Sequence, residues 1–223
     1  MEEGRGIYDN IRKFIRYLLS CNIGEVLTMF IATLVGLPLP LLPIQILWVN
    51  LVTDGLPAMA LGVDKAEPDI MRRPPRRPDE SIFAHGLARK IIIRGMIIGV
   101  GTLAVFVTGL FLGLTILEAR TMAFTTLVFS QLFHVFEVRS EVRGIFEMNF
   151  FSNPYLVGAV CISTIMQLSV IYIPALQAIF KTAPLDLWQW GIILCVAGGP
   201  AILMGLYRYV RNSLRQRATL YAK

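Results

Sequence analysis

Residues 42–62 read LPIQILWVNLVTDGLPAMALG, a stretch of 21 residues whose single charge, Asp54, stands just past its middle. At about 1.5 Å per residue a helix of this length covers roughly 30 Å, the thickness of a bilayer's hydrocarbon core. The stretch reads as a membrane span with a carboxylate inside it. A carboxylate at that depth is costly unless a cation or a proton answers it.

The rest of the chain agrees with that reading. Of its 223 residues, 55% are hydrophobic and only 16% charged, against roughly 25% charged in soluble domains, and the mean hydropathy is +0.63. A soluble single domain is excluded. Apolar runs of spanning length fall at Phe14–Leu37, Leu42–Val63, Ile91–Leu117, Thr121–Glu137, Tyr155–Ile173 and Leu187–Tyr209. The expected fold is therefore all-α, a polytopic bundle of six transmembrane helices. The fourth run is short and carries Ser130, Gln131 and His134, so it needs shelter from lipid. Gly95/Gly99 and Gly109/Gly113 give the third span two faces for close packing. The opening MEEGRGIYDN lacks the basic start of a cleavable signal, so the first span is expected to stay in the membrane.

Of the 21 Lys and Arg, 18 flank the spans on one side, Arg120 and Lys181 lie on the other, and Arg94 sits just inside the third span. The positive-inside rule then puts both termini in the cytoplasm. Basic residues after the sixth span suit lipid headgroups better than nucleic acid. The Arg72–Arg77 run is interrupted and flanked by Pro68, Pro74, Pro75 and Pro78, which favours an extended loop able to dock a cytoplasmic partner. Cys21, Cys161 and Cys195 lie in apolar runs without paired spacing, and His85 and His134 stand alone, so neither a disulfide framework nor a zinc site is indicated.

Two of the 15 acidic residues lie at mid-membrane: Glu25, 11 residues past Phe14, and Asp54, 12 past Leu42. The short turn LPLPLLP joins their helices antiparallel, so the two carboxylates reach similar depth. Asn22 precedes Glu25 by three residues, and Asn50 shares a helical face with Asp54 while Thr53 lies at its edge. Carboxylate, amide and hydroxyl oxygens without thiolates form a donor set for calcium, magnesium or manganese. Gly24, Gly55 and Pro57 are expected to loosen the helices there and free backbone carbonyls. An isolated intramembrane amide often only bonds neighbouring helices. Two acids at matched depth without a basic partner call for a cation or protons. Gln131 and His134, three apart on the fourth span, could add an oxygen and a proton-sensitive nitrogen, though packing is the simpler expectation for His134.

The segments EEGRGIYDNIRKFIRYLLSCNIGEV (2–26) and LPIQILWVNLVTDGLPAMALG resemble calcium-transporting P-type ATPases, bacterial members in particular. DIMRRPPR (69–76) is similar to the loop after their sixth helix, and FFSNPYL (150–156) to the start of their ninth. The resemblance covers essentially the whole chain and implies that its spans are family helices five to ten. It further implies that Asn22, Glu25, Asn50, Thr53 and Asp54 bind calcium, the transported ion. Gln131 stands where two-site members have a glutamate, and His134 where they have an asparagine. That departure leaves one calcium site short of a charge.

On this resemblance, residues 1–13 end the stalk of a missing phosphorylation domain and 14–63 form the ion-binding helix pair. Residues 64–90 form the cytoplasmic Pro/Arg loop, 91–209 the four supporting helices, and 210–223 a basic cytoplasmic tail. No DKTGT and no GxxxxGK[ST] occur in the chain. ATP and Mg2+ are thus expected to act only through a missing N-terminal half that also supplies helices one to four. Besides that half the expected partner is the lipid bilayer, in a bacterial plasma membrane, and no nucleic acid. Two alternatives stay open at this point: a non-enzymatic scaffold or passive cation pathway, and the same pump part carrying manganese, sodium or potassium.

Overall fold

The computed structural model describes residues 2–64, 70–72, 81–84, 86–139 and 152–221, with side chains described only to Val210. All regular structure among them is helical, and six helical segments are long and apolar enough to cross a membrane. Helix α1 (Glu2–Leu34) forms the first span and begins well before its apolar run. The second span is broken into α2 (Pro43–Trp48), a π-helical turn (Val49–Thr53) and α3 (Gly55–Gly62). A 3-10 turn follows at Ile70–Arg72. The remaining elements are α4 (Leu87–Phe111), α5 (Ile116–Val138), α6 (Pro154–Tyr172), the short α7 (Pro174–Phe180) and α8 (Leu187–Tyr221).

Three local signals explain boundaries that hydropathy placed differently. Thr115 caps α5, its Oγ1 accepting from the Glu118 N–H at 3.2 Å while Glu118 Oε2 accepts from the Thr115 N–H at 2.8 Å. This capping box starts the fourth span at Ile116, so the third ends at Phe111 rather than Leu117. Asn153 caps α6, its Oδ1 accepting from the Leu156 N–H at 3.1 Å, with Pro154 in the first turn where an N–H is dispensable. Pro174 separates α6 from α7, a short helix that the hydropathy reading did not anticipate.

Helix α5 is the axle of the bundle. In its most apolar stretch 83% is buried, against 28% to 44% for the other spans. That is the shelter which Ser130, Gln131 and His134 require. Its apolar face joins Phe124, Leu127, Val128 and Leu132 to Val49, Ile98 and Val170 in one core.

The two ends of the bundle differ in charge. At one end Asp64 accepts from Lys13 Nζ at 3.0 Å, Arg139 Nη2 at 3.3 Å and Asn153 Nδ2 at 3.0 Å, tying the end of α3 to α1, α5 and α6. Arg12 reaches the Ala84 carbonyl there at 3.1 Å. The opposite end is tied by amide and carbonyl contacts: Gln45 Nε2 to the Phe180 carbonyl at 3.0 Å, and Arg120 Nε to the Leu39 carbonyl at 3.0 Å. The helices alternate in direction, and the N-terminus, α3's end and α5's end meet at the charged end. Most of the Arg72–Arg77 run and the side chains of the basic tail lie outside the described residues.

Candidate functional site

The two buried carboxylates Glu25 and Asp54 are positioned by different devices. Glu25 follows Gly24, where α1 crosses α4 backbone to backbone. A Cβ on Gly24 would stand 2.7 Å from Ile98 Cγ2, one on Gly99 would stand 2.8 Å from the Gly24 carbonyl, and one on Gly95 would collide with Ile23. Helix α1 continues unbroken through this crossing. Gly24 therefore serves close approach and does not loosen the helix, contrary to the expectation from sequence.

In the second span the break falls before Asp54 and not after it. Asp54 N–H bonds the Val49 carbonyl, five residues back, at 2.8 Å, and regular α-helix resumes at Gly55. Pro57 has no N–H to offer the preceding turn, which favours irregular winding there. The expectation of a weakened second span holds, moved upstream by one turn.

Glu25 is capped by two amides. Its Oε2 accepts from Asn50 Nδ2 at 2.8 Å and its Oε1 from Gln131 Nε2 at 2.9 Å. Tyr17 Oη donates to Asp54 Oδ1 at 3.0 Å, the buried Cys21 thiol lies beside the same carboxylate, and Oδ2 is buried without an N–H or O–H partner. Gln131 Oε1 is also buried and without a partner. Asp54 lies within electrostatic reach of Glu25. Among the described residues no Lys or Arg forms an ion pair with either carboxylate.

Of the six residues singled out from sequence, Glu25, Asn50 and Gln131 meet in one hydrogen-bonded cluster, and Asp54 lies beside it. Thr53 is buried one position earlier, its hydroxyl donating to the Val49 carbonyl at 3.2 Å. Asn22 is exposed, as is Asn50, so both present amides on an open side of the helix pair. Among the described residues no three His, Cys, Asp or Glu side chains come together. A cation here would rely on two carboxylates plus neutral oxygens. Turning over the Asn50 or Gln131 amide exchanges an N–H donor at Glu25 for a carbonyl oxygen.

Tyr17 escaped the sequence reading, and so did the partners of His134. Tyr17 lies with Cys21 and Glu25 on one buried stripe at four-residue spacing, a signal that was present in the chain. His134 packs as expected and also engages charges: its Nδ1 lies 3.1 Å from Arg94 Nε and 3.3 Å from Glu137 Oε2. The omission has a simple cause, since Arg94 and Glu137 lie on different helices and only their packing brings them to one imidazole.

Comparison with known proteins gives a consistent result. The profile of the family described as "Cation transporting ATPase, C-terminus" matches residues 38–210. The chain is 52% identical over 205 residues to the calcium-transporting ATPase of Bacillus subtilis, covering 92% of this chain and 23% of that protein. It is 42% identical over 229 residues to calcium-transporting ATPase 1 of Bacillus cereus, covering 96% and 26% respectively. With the human calcium-transporting ATPase type 2C member 1 the identity is 38% over 213 residues, covering 96% and 23%. The chain thus spans about a quarter of the length of these curated relatives.

Proposed function

The chain belongs to the cation-transporting ATPase C-terminal family, and from that premise we propose that it is the helix five-to-ten membrane part of an ATP-driven calcium pump. One observation carries the ion-binding half of this reading. Two buried carboxylates, Glu25 and Asp54, lie on the paired first and second spans, neither forms an ion pair with a Lys or Arg among the described residues, and Asp54 Oδ2 is buried without an N–H or O–H partner. An unanswered pair of buried anions costs several kcal/mol unless something positive arrives. The carboxylate and amide oxygens of Glu25, Asp54, Asn50 and Gln131 suit calcium over softer metals.

In this reading Glu25 and Asp54 supply charge. Asn50 and Gln131 turn their carbonyls inward when calcium enters, and Asn22 and Thr53 complete the neutral oxygens. The exposed amide of Asn22 marks a side that the missing helices one to four cover, since a lipid-facing amide would go unsatisfied. ATP and Mg2+ act in the N-terminal part of the pump, on a phosphorylation domain that residues 1–13 join and the loop 64–90 contacts. Phosphorylation there shifts α1 and the broken second span so that the oxygens gather on one side and part on the other. The end of the bundle around Asp64 faces the cytoplasm, with both termini, in a bacterial plasma membrane.

Because Gln131 brings an oxygen but no charge, the pump binds one calcium tightly per cycle. Equilibrium binding of radioactive calcium to the full-length pump tests this: one ion per phosphorylation site is expected, displaced by excess calcium but not by sodium or potassium. Two equally tight ions overturn the stoichiometry, and displacement by sodium or potassium overturns the choice of ion.

A further inference from the structure

A second buried charged group lies just inside the charged end of the bundle and is linked to Asp54 through Tyr17. Glu137 of α5 pairs with Arg94 of α4, Oε1 to Nη2 at 3.1 Å. The fully buried His134 imidazole meets both partners through Nδ1, 3.1 Å from Arg94 Nε and 3.3 Å from Glu137 Oε2. Nδ1 accepts the Arg94 Nε–H and so has no proton for Glu137, which leaves the guanidinium, itself held by Glu137, as the polar anchor of the ring. The flat of that ring faces Tyr17 of α1, the ring centroids 6.0 Å apart and the planes 28° from parallel. Tyr17 in turn donates its hydroxyl to Asp54 Oδ1 at 3.0 Å. A tyrosine has two side-chain torsions, so fixing its ring fixes where its oxygen lies.

Resting on the calcium reading above, we propose that Arg94, His134 and Glu137 are positioning residues for Asp54. The ion pair locks the imidazole, the imidazole locks the Tyr17 ring, and the Tyr17 hydroxyl holds Oδ1 so that Oδ2 is left for the cation. The arrangement gives a buried ion pair a use beyond stability, to which an apolar pair of equal size would contribute as much. It also makes the orientation of Asp54, on the second span, depend on the packing of α1, α4 and α5 together.

A double-mutant cycle on calcium affinity in the full-length pump tests the chain of contacts. Tyr17→Phe keeps the ring but removes the hydroxyl, and should weaken calcium binding by about tenfold. The neutral pair Arg94→Gln with Glu137→Gln should weaken it by about threefold to tenfold in the parent. Added to Tyr17→Phe, the neutral pair should cost nothing further, because both changes release the same carboxylate oxygen. Should the neutral pair not yield folded pump, His134→Phe takes its place, keeping a ring against Tyr17 and the ion pair intact while removing the polar anchor. Losses that multiply across the cycle would mean ordinary structural damage and overturn the proposal, as would a neutral pair or His134→Phe with unchanged affinity. A parent pump that binds no calcium overturns the calcium reading and this one with it. Multiplying losses in a pump that does bind calcium overturn this one alone.

Discussion

Among the described residues four carboxylates are buried to nearly the same degree, yet they divide into two kinds. Asp64 is 8% exposed and Glu137 4%, and each has basic partners: Lys13 and Arg139 for the first, Arg94 for the second. Glu25 at 4% and Asp54 at 1% have amides and a phenol instead. Burial therefore does not mark the candidate ion site; the lack of a built-in cation does. An anion answered by a fixed guanidinium is structural, because its charge is already neutralised and its oxygens are directed. An anion answered only by neutral donors keeps its charge available for a mobile cation, and a transported ion must be able to leave.

That division can be broken most directly at Asp54. Asp54→Ala should abolish calcium binding to the full-length pump, a loss beyond about a hundredfold, because it removes charge and oxygen at the residue with a free buried lone pair. Retained binding in a calcium titration would end the distinction between the two kinds of acid.

Stability separates them by sign. Glu137→Leu alone strands Arg94 and should destabilise the pump by about 3–5 kcal/mol, whereas Glu137→Leu combined with Arg94→Met should fall near the parent. In calcium-free detergent Asp54→Asn should instead raise the unfolding temperature, since it neutralises a buried anion that has no cation. Equal losses for Glu137→Leu and Asp54→Asn in thermal unfolding would refute the contrast.

A smaller effect is expected at the crossing that sets Glu25. Gly95→Ala places a methyl group against Ile23 and should cost about 1–3 kcal/mol by forcing α1 and α4 apart. Calcium affinity should fall with it, because Glu25 directly follows Gly24 at the same crossing. The smallest effect belongs to Gln131→Ala. It removes one neutral donor from Glu25, and calcium affinity should change by less than about fivefold, worth roughly one hydrogen bond. A loss as large as that of Asp54→Ala would make Gln131 a principal ligand and require a second site.

Much of this was legible in the chain. The six spans follow from apolar length, and the charged end follows from the distribution of Lys and Arg, which Lys13, Arg12 and Arg139 bear out by converging with the ends of α3 and α5. Glu25 and Asp54 were legible as acids inside apolar spans, and both side chains are buried. The winding of the second span was legible only coarsely: Gly55 and Pro57 signalled a weak helix, but the break settled at Val49–Thr53, where the missing N–H of Pro57 is felt. Tyr17 was readable as a stripe with Cys21 and Glu25. His134 does pack, fully buried and stacked on Tyr17, but its bond to Arg94 was not legible, because nothing in its neighbourhood along the chain points to a residue 40 positions earlier.

The sequence by itself determined how many helices are long and apolar enough to cross and which end carries positive charge. Each of these is a sum along the chain, with hydropathy, charge and helical rise adding residue by residue whatever the helices later touch. Only the tertiary structure decided which buried acids have a cation of their own. Gln131 reaches Glu25 across 106 positions, Tyr17 reaches Asp54 across 37, and Arg94 chooses Glu137 over either. Pairing is decided at about 3 Å, where hydrogen bonds and contact ion pairs form. Distances of that size between helices depend on their crossing and rotation, here on Gly24 and Gly95 letting α1 and α4 touch and on α5 standing at the centre. No sum along the chain contains that information.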